Sequence, residues 1–87
     1  MAETPAYELT SHAITVVRER GIKKEWIDQV LSDPNKTEPD RIDPQLRHAL
    51  LPIAEHGNRV LRVIYNQSAN PWRIVSVYFD RTKRGRI

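Results

Sequence analysis

The spacing of the apolar residues changes once along this chain, at Asp33-Pro34, and that change restricts the fold more than any other feature. Before it, the apolar positions follow a helical period. Ala13, Ile14, Val16 and Val17 form one side of a helix running from Thr10 or Ser11 to about Arg20. A Thr10 or Ser11 oxygen can accept from the free amides of the first turn, and Gly21 stops the helix by accepting a left-handed conformation. Trp26, Ile27, Val30 and Leu31 give a second helix over about residues 23–32. Asp33-Pro34 ends it, because proline disfavours helical geometry in the residue before it.

After Pro34 the period is two. Residues 35–44 are polar, contain two prolines and read as a connection with room for a short edge strand. Residues 46–55, 59–66 and 72–80 read as strands, separated by turns at His56-Gly57-Asn58 and at 67–71. Pro52 pushes the first of these towards an edge or a bulge. Two helices followed by such strands predict an α+β domain, with both helices on one face of a three- to four-stranded antiparallel sheet. Side-chain alternation assigns Ala49, Leu51, Ile53, Leu61, Val63, Tyr65, Val75, Val77 and Phe79 to the helix side. His48, Leu50, Arg62, Ile64, Ile74, Ser76 and Tyr78 fall on the other face.

At 87 residues the chain is expected to form one domain, with 1–8 and 82–87 loose. There is no cysteine, so neither disulfides nor thiolate metal sites can support a small core. No apolar run approaches the ~20 residues of a membrane span, and the first residues lack the form of a signal peptide. The expected location is therefore cytoplasmic, with no membrane contact. The net charge of +3 is unevenly placed. Acids slightly outnumber bases up to Asp80, whereas the end carries Arg81, Lys83, Arg84 and Arg86 with no acid. Such a tail can meet phosphate or an acidic protein.

No phosphate-binding glycine loop, zinc spacing or nucleophile elbow is present. The histidines at 12, 48 and 56 lack ligand spacing, so neither a metal nor a cofactor is expected. The outer sheet face offers another chemistry. Metal-independent RNA cleavage needs a base for the 2′-hydroxyl, an acid for the leaving 5′ oxygen and a cation for the phosphorane charge. His48 or His12 suits the acid or base role because histidine titrates near neutrality. Arg62 suits the charge, its planar fork matching two phosphate oxygens, and Tyr78 can donate a proton or stack on a base. The structural alternative has Arg62 covering Ile64 and Ile74 with its aliphatic stem, and His12 bonded to a carbonyl at the helix–sheet boundary.

"LTSHAITVVRERGIKKEWIDQVLSDP", "RVLRVIYN" and "RIVSVYFDR" together resemble the bacterial domain-of-unknown-function 4258 family. The shared pattern is a His-Ala pair, then Arg18-Glu19-Arg20-Gly21-Ile22, a second helix and a proline, and it covers about residues 7–81. That family looks similar to RNase-toxin folds of the RelE/ParE and barnase-like type. The resemblance implies a toxin-like, metal-independent ribonuclease or ribosome-associated RNA-binding protein, with RNA or the ribosome and an antitoxin protein as expected partners. It marks His12, Arg18, Arg20, Arg62 and Tyr78, to which the basic tail adds Arg81, Lys83 and Arg84 as RNA or partner contacts. One departure stands out: Val16 occupies the position four after His12 where the family pattern has arginine. That favours a second expectation, a non-catalytic binding or dimerisation module using the open sheet face. The near-neutral body charge favours it too.

Overall fold

The computed structural model describes residues 4–87. Its elements are β1 (Tyr7–Leu9), α1 (Ser11–Arg20), α2 (Lys24–Ser32), β2 (Lys36–Pro39), β3 (Leu46–Ile53), β4 (Arg59–Asn66) and β5 (Trp72–Phe79). Short 3-10 turns occupy Ala54–His56 and Arg81–Lys83. The two helices begin and end close to where their sequence signals stand. The Thr10 side chain accepts from Ala13 N at 3.2 Å, and Gly21 closes α1 at φ 63°, a conformation that suits glycine.

The fold is α+β, as expected, but the sheet is five-stranded and mixed, with strand order β1-β5-β4-β3-β2. One expectation about the sheet needs correction. Tyr7 and Glu8, expected to be loose, form with Leu9 a strand parallel to Trp72–Ile74. Residues 1–3, also expected to be loose, lie outside the described residues. The connection after Pro34 supplies β2, antiparallel to β3 through Lys36↔Leu50 and Glu38↔His48. Both strands are short, and longer neighbours offer them a ladder; Tyr7 and Leu9 also pack against the core.

A bulge corrects the face assignment. Ile64 lies opposite Ser76 and Tyr65 opposite Ile74, which leaves Val75 as an extra residue. Side-chain parity in β5 therefore flips at that point. Ile74 turns to the helix side and is fully buried there, while Val75 drops out of the core. Tyr65 stacks on Trp72 beside it, with ring centroids 4.8 Å apart.

The core lies between the helices and one sheet face, and Ala13, Ile22, Trp26, Ile27, Val30 and Leu31 pack on Ala49, Ile53, Leu61, Val63 and Val77. Leu50 and Val60 have the opposite parity, yet both are also buried. The outer face is thus partly covered. No helix among the described residues is long and apolar enough to cross a membrane.

Candidate functional site

Arg62 sits at the middle of β4 on the outer face, with only 6% of its surface exposed. A buried guanidinium needs partners, and three neighbouring segments supply them. Its Nε and Nη2 donate to Asp80 Oδ2 at 3.1 and 2.8 Å. Its Nη1 donates to Glu38 Oε1 at 2.8 Å and to His48 Nδ1 at 2.7 Å. Because a guanidinium has no acceptor, Nδ1 of His48 must accept, and Nε2–H then donates to Asp40 Oδ1 at 2.7 Å. Asp40 is itself held by the amides of Ile42 and Asp43. The cluster joins β2, β3, β4 and the residue after β5.

Burial alone would lower the Arg62 pKa, but the bonds to Glu38 and Asp80 outweigh it and raise it. The Arg62 bond holds the Glu38 carboxyl below its ordinary range. For Asp80, burial acts upward and is overcome by the bonds from Thr82 and Arg62. The Asp43 amide, then His48 and the Ile42 amide, bring Asp40 down to about 2. Two carboxylates therefore hold the guanidinium, and a third holds the histidine beside it. That arrangement repels phosphate and engages Arg62 and His48, two of the groups that the sequence nominates for cleavage.

The other nominated residues are distributed differently. His12 is exposed in the first turn of α1, on the side of the sheet opposite Arg62. The structure brings His48 and Arg62 together and keeps His12 apart from them. Tyr78 faces Arg62 across the β4–β5 pair and is 41% exposed. Arg18 and Lys83 lie outside the cavity described next.

Tyr78, Arg20, Arg81 and Arg84 converge on a groove of about 890 Å³ between the last turns of α1, the outer edge of β5 and the turn that follows it. His56 and Arg59 line it as well, with Val16, Val60, Val77 and Phe79 as its apolar surface. Its acids are Glu19 and Asp80, and Asp80 is already engaged by Arg62. Four guanidinium groups thus face one uncommitted carboxylate.

His56 and Arg59 are the residues that the sequence reading passes over. His56 occupies the expected turn, yet its ring lies 4.9 Å from both Trp26 and Phe79, centroid to centroid. The Trp26 Nε1 also hydrogen-bonds Glu55 beside it. These partners are remote in sequence, so no local signal marks His56 as anything but a turn residue. Arg84 donates to Gly57 O at 3.3 Å and ties the tail to the same turn.

Residues 9–79 match the family model described as Domain of unknown function (DUF4258). The chain belongs to this family. No curated protein and no solved structure matches it. The match spans His12-Ala13 and Arg18–Ile22 and says nothing of chemistry. Among the described residues, no cluster of histidine and acidic side chains could hold a metal ion.

Proposed function

We propose that this protein is a toxin-like RNA-binding protein acting through the α1–β5 groove, with metal-independent cleavage as its chemistry. One observation carries the reading: Arg20, Arg59, Arg81 and Arg84 surround a cleft that also holds a histidine and an exposed tyrosine. Arginine forks take phosphate oxygens in pairs, and an exposed tyrosine ring offers a surface on which a base can stack. His56 is the ring available for proton transfer, removing the 2′-hydroxyl proton or protonating the leaving 5′ oxygen. Arg62 and His48 build the outer face that supports the groove and do not enter the reaction.

Expression in a host with and without the neighbouring gene, reading growth and RNA integrity, tests this. Arrest with RNA loss is expected from the natural protein. His56→Ala should abolish the cleavage while leaving RNA binding within about threefold, since the arginines carry the affinity. Undamaged RNA together with unimpaired growth favours the second reading, a non-catalytic module of the same family. The capture of Arg62 and His48 by carboxylates is the observation on that side.

A further inference from the structure

The edge of β5 is covered for only part of its length. β1 pairs as far as Ile74. Thr10 then makes the last contacts, its N–H donating to Ile74 O at 3.0 Å and its hydroxyl to Val75 O at 3.4 Å. At Ser11 the chain turns away into α1. The bond from Asp80 N to Val60 O at 2.8 Å shows which residues of β5 face β4. Alternation in an antiparallel ladder then directs the N–H and C=O of Val77 and Phe79 away from β4, into the groove. Neither residue's outward groups have a hydrogen-bond partner among the described residues. Val77 is fully buried, so its unpaired peptide groups are costly as they stand.

We propose that the groove accepts an extended acidic segment of a partner protein, which adds to the sheet as a strand along β5 in line with β1. This goes beyond the RNA reading and does not depend on it. Val77 and Phe79 present donor and acceptor pairs about 6.8 Å apart, the two-residue repeat of an antiparallel strand. RNA has no matching ladder of N–H and C=O groups. Arg20, Arg59, Arg81 and Arg84 set the sign of the occupant's charge. A second copy of this chain is disfavoured, because pairing β5 with itself about Val77 brings two arginine-lined grooves together, and like charges juxtaposed across an interface repel. Glu19 and Arg20 form the opposite wall; both are exposed and neither side chain holds a hydrogen bond among the described residues. Their side chains can swing aside as the strand enters.

The test uses the full chain and a synthetic peptide of alternating valine and glutamate, about seven residues long, enough for one strand. Amide hydrogen exchange at Val77 and Phe79 is the readout. The peptide should slow both amides at least ~10-fold, and a lysine-for-glutamate version should bind at least ~10-fold more weakly. N-methylation of its central valines removes the donors and should abolish the protection. Arg81→Glu and Arg84→Glu, both at exposed positions, should weaken the acidic peptide while leaving the circular dichroism unchanged. Equal binding of the N-methylated peptide overturns the proposal, as does equal protection by a single-stranded uridine oligonucleotide. Protection that depends on protein concentration with no peptide present assigns the edge to a second copy, and also overturns it. The affinity of the oligonucleotide, measured alongside, reports separately on the RNA reading.

Discussion

Arg62 is an alternating-strand residue whose side chain should reach water, and it does not. Burying it is tolerable because Asp80 and Glu38 accept hydrogen bonds from it and His48 accepts one more. Removing one member of such a group leaves the others desolvated and unpaired. Arg62→Met is therefore expected to cost about 3 kcal/mol, near the low end for a broken buried pair because Glu38 keeps some contact with water. Urea unfolding measures this. The same cluster governs acid sensitivity. The folded-state pKa values of Glu38, Asp40 and Asp80 all lie below their ordinary values, that of Asp40 at about 2. Groups depressed on folding stabilise the protein above the unfolded pKa, near ~4 for carboxylates, and lose that contribution as pH falls through the folded value. Stability should be flat above about pH 5 and fall between about pH 4.5 and 2. In Arg62→Met that fall should shrink, because Glu38 and Asp80 lose the partner that depresses them. Urea midpoints across this range decide it: an undiminished slope in the variant removes Arg62 as the cause.

At the level of elements, long periodic segments are legible and short ones are not. α1, α2 and β4 carry their own apolar pattern and stop signals, and they form where that pattern places them. β1 and β2 have three and four residues, too few for a period to show. They become strands because β5 and β3 offer free edges, which only the assembled sheet provides. The bulge at Val75 is hidden for the same reason. "WRIVSV" alternates equally well in either register, and the choice falls to Ile74 and Trp72 packing beside Tyr65. Ile74→Ala removes the side chain that the bulge turns to the helix side. Loss of that buried side chain is expected to cost about 2–3 kcal/mol, read as a lower urea midpoint. A midpoint equal to that of the natural protein means the bulge has no packing role. The candidate site was half legible for a related reason. Arg20, Tyr78, Arg81 and Arg84 stand out by type, whereas the acids that enclose Arg62 and His48 lie on β2, in the loop after it and beyond β5, with no local sign that they meet.

Across the whole molecule, charge is sorted more sharply than a net value of +3 conveys. Glu38, Asp40 and Asp80 gather around Arg62 on the outer face, while Arg20, Arg59, Arg81 and Arg84 open onto the groove. An anion approaching the outer face meets carboxylates, and one approaching the groove meets guanidinium groups. The distinction is measurable through salt. Each phosphate neutralised on a single strand releases counterions and contributes about −0.7 to the slope of log K against log salt. Four arginines in contact with phosphate predict a slope of about −3 for a single-stranded RNA oligonucleotide, measured by fluorescence anisotropy from about 50 to about 300 mM KCl. Arg84→Ala should make the slope shallower by about 0.7 and weaken binding for every sequence tested to a similar degree. Arg18→Ala removes a cation of equal charge on the same chain but outside the groove, and should leave the slope unchanged. Were both substitutions to shift it equally, the RNA would be sensing the net charge of the molecule, and the groove would hold no privileged claim on it.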